Sequence, residues 1–324
     1  MGKRIDLHVH LAGAGQGSNC SISPRMRRSI QYLALTRLLG ISRRDPDRAY
    51  ADHLVSLVEG ALELDHACVF AMDGVYDAHG ERIPEQSHLY VPNEYAIDVC
   101  RRSDKLLPVI SINPQRQDAL AELERTGPQA VALKWLAPMQ RFDPSSARYE
   151  PFRRLLKELD LPVIAHSGTE HTVPGGVQKL GDPELCEPLL KLGIPVIFAH
   201  CGTCTFFSPG LDQVPAFDRM LARYDCAFGD TSGFVTPVRA GRVRQFMAPR
   251  YAGRIFHGSD FPVPISALPF LPALGFEAVR DLERIANPLD KDVAIKRAMG
   301  MPESVFTGAY DLLTSRIARI KGRA

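Results

Sequence analysis

Short apolar runs alternate with helix-like stretches along the 324 residues of this chain, and the alternation occurs eight times. Each run is rich in β-branched and aliphatic residues and ends in a polar or glycine-bearing segment, as buried strands do. The intervening stretches, such as 151–159 and 183–192, place apolar residues three and four positions apart. This order predicts an α/β fold of the (β/α)8 TIM-barrel type. The predicted strands are 5–8, 67–71, 107–112, 130–134, 162–166, 195–200, 226–230 and 254–258.

The spacing of these strands indicates how the chain is organised. No internal repeat or low-complexity linker divides it, so we predict a single domain over residues 1–324. Residues 18–60 separate the first two strands by an unusually long interval and predict a mostly helical insertion that distorts the barrel. The residues beyond Pro269 are expected to form closing helices.

Composition and charge restrict the function. A net charge of +2 argues against a nucleic-acid partner, which would require a strongly basic surface. No apolar run reaches the roughly 18 residues of a membrane span, and no secretory signal pattern is present, so no membrane partner is expected. Seven cysteines, an odd number without framework spacing, favour a cytoplasmic location. The expected partner is a small-molecule substrate, and homo-oligomer formation is left open.

The glycine-rich segment after the first strand allows two interpretations. Residues 13–18 resemble a dinucleotide-binding loop, but serine stands where the third glycine is needed. Such a site also needs an acidic residue about 20 positions further on, and no Asp or Glu occurs between Leu7 and Arg44. We therefore interpret the glycines as a turn that leads the chain away from the strand.

Arginines accumulate in this acid-free stretch. They form either a solvated helical face or, in part, a contact surface for an anionic substrate, because guanidinium groups pair with carboxylates. Both interpretations are retained. The arginines are Arg25, Arg27, Arg28, Arg37, Arg43 and Arg44.

His8 and His10 lie two residues apart on the first predicted strand. Side chains alternate between the faces of a strand, so these two imidazoles point the same way and can bind one metal ion. The pair by itself is equally compatible with two hydrogen-bonded core histidines.

Other predicted strands also end in a residue with reactive or ligating chemistry. His166 ends the fifth strand, His200 ends the sixth, and Asp260 follows the eighth. Barrel enzymes carry their catalytic groups at these carboxyl ends. Lys134 closes the fourth strand, where it can reach solvent or, if buried, react with carbon dioxide to give a carbamate that bridges two metals.

Together these motifs resemble the amidohydrolase superfamily. The flanking segments KWLAPMQRFDP at 134–144, AHSGTEHT at 165–172 and FAHCGT at 198–203 are similar to its amidohydrolase-related branch, which includes decarboxylases of the aminocarboxymuconate semialdehyde type. The resemblance extends from Ile5 to Pro262.

The resemblance implies a distorted barrel that holds one or two divalent metal ions, zinc or alternatively manganese. His8, His10, His166 and Asp260 would bind the first ion, and His200 would be a second-metal ligand or an acid–base group. The branch favours one ion. Lys134 would then remain an ammonium group that orients an anionic part of the substrate.

Two reactions follow from these expectations. The first is metal-dependent hydrolysis of a C–N or C–O bond in an amide, lactone, lactam or ester, with Asp260 as general base and then acid, and with His200 and Lys134 as further catalytic residues. The alternative is metal-dependent, non-oxidative decarboxylation of a small carboxylic acid. Cys201 and Cys204 are interpreted as loop-wall residues, and His171 either contacts substrate or lies in a surface loop.

Overall fold

The computed structural model describes residues 2–15, 17–38, 40, 45–169, 175–205, 208 and 211–322. Eight parallel strands form one sheet, and seven of the strand pairings follow directly along the chain. The strands in chain order are β1 (Ile5–His10), β2 (Ser21–Ile22), β3 (His66–Phe70), β4 (Leu89–Tyr90), β5 (Leu106–Ile110), β6 (Ala132–Trp135), β7 (Val163–His166), β8 (Val196–Ala199), β9 (Ala227–Asp230) and β10 (Ile255–Phe256). All except β2 and β4 belong to this sheet.

The last strand and the residues after it return to β1 and nearly close the sheet into a barrel. Leu7 N–H donates to His257 O at 3.0 Å, and His10 N–H donates to Phe261 O at 2.8 Å. The predicted TIM barrel is therefore confirmed, with every expected strand present and only the strand ends shifted by a few residues.

Helices lie between the strands and after the last one. They are α1 (Pro24–Arg27), α2 (Ile30–Leu38), α3 (Pro46–Glu59), α4 (Asn93–Cys100), α5 (Ala119–Thr126), α6 (Ala137–Gln140), α7 (Glu150–Glu158), α8 (Glu187–Lys191), α9 (Val214–Arg223), α10 (Leu271–Leu274), α11 (Phe276–Glu283), α12 (Pro288–Ala298) and α13 (Glu303–Lys321). Within the described part of the chain, no helix combines the length and the apolar character that crossing a membrane requires.

The barrel strands are apolar throughout because both of their faces are covered. Every residue of β3, β5, β6, β7 and β8 is buried, as expected for parallel strands that pack against helices outside and against one another inside. Such strands appear in a sequence as continuous apolar runs. This is why their positions could be predicted.

Helix α13 closes the amino-terminal end of the barrel. Its Leu313 and Ile317 pack in one buried cluster with strand residues such as Ile164. The buried Arg316 donates hydrogen bonds to the carbonyl oxygens of Gly127, Ala130 and Leu159, which precede β6 and β7. The opposite end of the barrel is formed by the carboxyl ends of the strands.

The insertion after β1 contains α1, α2 and α3, as predicted, and also strand β2, which pairs antiparallel with β4. The glycine-bearing turn is fixed by Asp47 of α3. Its buried carboxylate accepts hydrogen bonds from the backbone N–H groups of Ala14 and Gly15 and from the Ser18 hydroxyl. Gly15 has a φ of 94°, which favours glycine. These contacts explain the glycines by backbone geometry.

His66, the first residue of β3, is buried at the amino-terminal end of the barrel. Its ring stacks on Tyr310 of α13 with ring centroids 6.3 Å apart. Neither ring nitrogen has a hydrogen-bond partner among the described residues. Burial, reinforced by Lys321 and Lys3, lowers the pKa of His66 to about 4.

We expect His66 to make the protein less stable in acid. The unfolded chain binds a proton at His66 below pH 6.5, whereas the folded chain excludes it until about pH 4, so this contribution to the free energy of unfolding decreases as the pH falls through that window. His66→Phe should reduce the loss of stability between pH 7 and pH 4 by up to about 3 kcal/mol. Urea unfolding at several pH values measures the effect, with the exposed His79→Phe as control. An identical pH dependence in His66→Phe and parent would contradict the prediction.

Candidate metal centre

His8, His10 and Asp260 converge at the carboxyl end of the barrel. The Nε2 atoms of His8 and His10 are 3.2 Å apart, and Asp260 Oδ1 lies 3.4 Å from the former and 3.2 Å from the latter. The backbone produces this convergence, because Asp260 N–H donates to His8 O at 2.9 Å. Asp260 itself adopts a left-handed conformation with φ of 69°, which is uncommon outside glycine and typical of functional positions.

The three ligand atoms form a triangle whose size suits a divalent ion. Bonds of about 2.0–2.1 Å in tetrahedral directions place ligand atoms about 3.3 Å apart, close to the observed separations. Two imidazoles and one carboxylate are a donor set that zinc and related ions accept. These residues therefore fit a divalent metal ion.

Asp230, at the end of β9, orients the His8 ring through its Nδ1 atom. His8 Nδ1–H donates to Asp230 Oδ2 at 2.9 Å, which leaves His8 Nε2 directed toward His10 and Asp260. Burial alone would raise the pKa of Asp230, but His8, which donates a hydrogen bond to it, and the Lys134 ammonium group hold it well below its usual range. A carboxylate that grips the outer nitrogen of a ligating histidine is a recurrent feature of metal sites.

Asp230 was not predicted as a site residue, although its position at the end of a strand indicated one. It ends a strand in the same way as His166 and His200 do. Its carboxylate also accepts hydrogen bonds from the backbone N–H groups of His200 at 2.9 Å and Ser232 at 3.0 Å. The rule applied to the histidines would have identified it.

His200 is buried beside the triangle in a defined orientation. Its Nδ1 donates to Ser232 O at 2.9 Å, and its ring centroid lies 5.2 Å from that of His8. Burial and the nearby Arg239 guanidinium lower the pKa of His200 to about 3, so the imidazole is neutral at pH 7. With Nδ1 protonated, Nε2 is a hydrogen-bond acceptor.

His166 and Lys134 flank the same end of the barrel. The centroid of the His166 ring lies 4.9 Å from that of His200. Burial and, to a smaller extent, the neighbouring His200 hold the pKa of His166 well below the usual range. Lys134 Nζ is 3.5 Å from His8 Nε2 and 4.7 Å from the centre of the Phe70 ring. Every described residue predicted for the site is thus near it, and three of them supply the converging ligand atoms.

Two further buried residues support the site and were not anticipated. Asp6 Oδ1 accepts hydrogen bonds from the N–H groups of His8 at 3.0 Å and Ser259 at 2.9 Å, which ties both halves of the triangle together. Arg239 donates to Thr203 Oγ1 at 3.0 Å and Thr169 O at 2.7 Å, and so joins the loops after β8 and β7. Asp6 is a carboxylate within a buried strand, which is a signal visible in the sequence, whereas nothing in the sequence distinguishes Arg239.

The remaining residues considered in the sequence supply no atom to the ligand triangle. Cys201 is buried with its thiol 3.1 Å from Asp230 O, and Cys204 Sγ is 3.3 Å from an Arg242 nitrogen. Both positions agree with loop-wall residues. His171 lies outside the described residues.

Comparisons with known proteins bear on the family and the fold. A family model described as Amidohydrolase matches residues 5–296. An uncharacterized TIM-barrel protein from Bordetella bronchiseptica has a similar structure, with a TM-score of 0.62 and 13% identity over 98% of this chain and 99% of that chain. A candidate 2-pyrone-4,6-dicarboxylic acid hydrolase from Pseudomonas putida gives a TM-score of 0.57 and 17% identity over 97% and 98%.

A decarboxylase shares the same architecture. The 5-carboxyvanillate decarboxylase from Sphingomonas paucimobilis gives a TM-score of 0.51 and 11% identity, with 99% of both chains covered. No curated protein matches the sequence significantly. At these identities the structural likeness concerns the fold alone.

We expect Asp230→Asn to weaken divalent-metal binding by about 10- to 100-fold, because His8 loses the carboxylate that fixes its ring. The substitution preserves the size of the side chain. Competition with a chelator measures the affinity for Zn²⁺, and the exposed Asp225→Asn serves as control. Parental affinity in Asp230→Asn would show that this carboxylate does not orient a metal ligand.

Proposed function

The chain belongs to the amidohydrolase family, and on this basis we propose that it hydrolyses a C–N or C–O bond of a small anionic molecule with one divalent metal ion. The single observation that carries the proposal is the ligand triangle of His8, His10 and Asp260. His166, at the carboxyl end of β7, is proposed as a fourth ligand. Zinc is the proposed metal and manganese the alternative, since mixed imidazole and carboxylate ligands suit both.

When bound, such an ion polarises a carbonyl group and lowers the pKa of a water molecule. Asp260 is the proposed proton acceptor. Burial would raise its pKa, but the hydrogen bond from His10 and the neighbouring histidines offset this and the pKa lies well below the usual range, so the carboxylate is ionised at neutral pH. A Cβ at Gly233 would lie 3.1 Å from Asp260 Oδ2, so the glycine leaves space beside the second carboxylate oxygen. Asp260 can therefore take a proton from water and return it to the leaving group.

His200 and Lys134 are proposed to orient the reactants. The neutral His200 can accept a hydrogen bond from the attacking water through Nε2, because Nδ1 is occupied by Ser232. Lys134 is proposed to remain an ammonium group facing an anionic part of the substrate. Its conversion to a bridging carbamate, with His166 and His200 around a second ion, is the alternative. Among the described residues, one group of converging metal-ligating atoms is found, which supports a single ion.

A cationic cluster at the same end of the barrel supports an anionic substrate. A Cβ at Gly175 would lie 3.3 Å from His88 Nε2, 3.4 Å from Arg141 Nη2 and 3.7 Å from Arg25 Nη1. These residues come from segments after β7, β3, β6 and β1, all at the carboxyl ends of strands. Burial, together with Arg25 and Arg141, lowers the pKa of His88. Two guanidinium groups so placed suit a carboxylate.

Decarboxylation is the second candidate because the 5-carboxyvanillate decarboxylase has the same barrel. In that reaction the bond between the carboxylate and its carbon breaks, carbon dioxide leaves, and a proton from water is added at the carbon. The cationic cluster suits the carboxylated substrates of both reactions.

The number of metal ions is tested by metal analysis of the parent and of His200→Asn. We expect about one equivalent in both, with turnover reduced about 100-fold or more in the variant because acid–base assistance is lost. His79→Asn is the control for an exposed histidine. Two equivalents in the parent that fall with the substitution would identify His200 as a ligand. Less than about a tenth of an equivalent, without activation by added metal, would overturn the metal-dependent mechanism.

The reaction type is tested in H₂¹⁸O with pairs of lactones, esters and amides that differ by one carboxylate, together with 2-pyrone-4,6-dicarboxylic acid and 5-carboxyvanillate. Hydrolysis places ¹⁸O in the new carboxylate. We expect this label, and a kcat/KM at least about tenfold higher for the carboxylated member of a pair, because charge-assisted hydrogen bonds contribute more than about 1.4 kcal/mol. Release of carbon dioxide, with no ¹⁸O in the organic product, would favour decarboxylation.

A further inference from the structure

Three fully buried ionisable residues lie behind the segment that carries Asp260. Asp292 and Lys296 stand one turn apart on α12, and His257 directly follows β10. All three have no exposed surface. The reaction proposed above uses none of them, and α12 contributes no ligand to the metal centre.

The Lys296 ammonium group has three polar partners, one through an ion pair and two through hydrogen bonds. Lys296 Nζ lies 2.5 Å from Asp292 Oδ1, donates to Gly258 O at 2.8 Å, and is 3.4 Å from His257 Nδ1. The second partner is a backbone carbonyl only two residues before Asp260. Lys296 therefore connects α12 to the segment that delivers a proposed metal ligand.

Gly258 is also packed against another proposed ligand, His8. A Cβ on Gly258 would lie 2.9 Å from His8 Cβ and 3.2 Å from Ser232 Cβ, so no space remains between this backbone and the back of His8. Ser259 N–H is held by Asp6 and Asp260 N–H by His8 O. A displacement of Gly258 would thus move both His8 and Asp260.

The energetics of burial suggest a role beyond stability. Removing an ammonium and a carboxylate from water is unfavourable, and replacing a buried ion pair by apolar residues of similar size is often neutral or stabilising. An apolar pair could fill the same volume. It could not donate a hydrogen bond to the Gly258 carbonyl, and this donation is what the charged pair adds.

We propose that Lys296, held in place by Asp292, is a positioning residue for the metal centre. It fixes the Gly258 carbonyl and, through the short segment to Asp260, sets the Asp260 carboxylate at the distance from His8 and His10 that a divalent ion requires. This inference rests on the metal site of the proposed function. Lys296 acts through the backbone and contacts neither substrate nor metal.

The test separates positioning from stability with a double variant. Lys296→Met alone leaves Asp292 buried without its partner and is expected to lower the melting temperature. Lys296→Met combined with Asp292→Leu removes both charges and should restore the melting temperature. It cannot restore the contact to Gly258. Lys291→Met is the matched control, because Lys291 lies on the same helix and pairs with Glu283 at 3.1 Å.

The measurements are Zn²⁺ affinity by chelator competition, the visible spectrum of the Co²⁺-loaded protein, and kcat and KM separately. For the double variant we expect parental folding, an affinity for Zn²⁺ about 10- to 100-fold weaker, a changed Co²⁺ spectrum, and a lower kcat with little change in KM. Lys291→Met should match the parent in all of them.

Two outcomes are distinguishable failures. A double variant with parental stability, Zn²⁺ affinity and Co²⁺ spectrum would overturn the positioning role and leave the proposed function intact. A parent protein that binds neither Zn²⁺ nor Co²⁺ would overturn the proposed metal-dependent function and, with it, this inference.

Discussion

The arrangement of side chains at the carboxyl end of this barrel depends on the hydrogen bonds that connect its first strand to the residues after its last. His10 N–H to Phe261 O and Asp260 N–H to His8 O bring together groups separated by about 250 residues of sequence. The ligand triangle consists of two side chains from the first strand and one from the segment after the last strand. Without closure of the sheet, His8 and His10 would be only two neighbouring histidines on an edge strand.

This closure also concentrates ionisable groups in a buried space, and their mutual influence sets their protonation states. Burial keeps the imidazoles of His200 and His166 neutral, as metal ligation and proton acceptance require. Hydrogen bonds from His8 and His10 in turn favour the ionised carboxylates of Asp230 and Asp260 despite their burial. A set of neutral histidines and charged carboxylates is the protonation state in which a divalent ion is bound most readily.

Support for the site extends outward in layers. Asp230 and Ser232 fix the outer nitrogens of His8 and His200, and Asp6 joins β1 to the segment before Asp260. The proposed contribution of Lys296 continues this arrangement to α12, near the end of the family match at residue 296. Buried polar residues of this kind stabilise little by themselves, but they restrict where the ligand atoms can lie.

The sequence alone determined the barrel and the strand ends at which the candidate site residues lie. Strands buried on both faces must be continuous apolar runs, so a histidine, lysine or aspartate at the end of such a run stands out. This made His8, His10, His166, His200, Lys134 and Asp260 identifiable, and the same rule applied to β9 would have added Asp230. The pairing of β2 with β4, the grip of Arg239 on two loops and the contact of Lys296 with Gly258 could not be foreseen. Each depends on how far a side chain or an irregular segment reaches across the packed structure, and only the tertiary structure decides that distance, because no periodicity of the sequence encodes it.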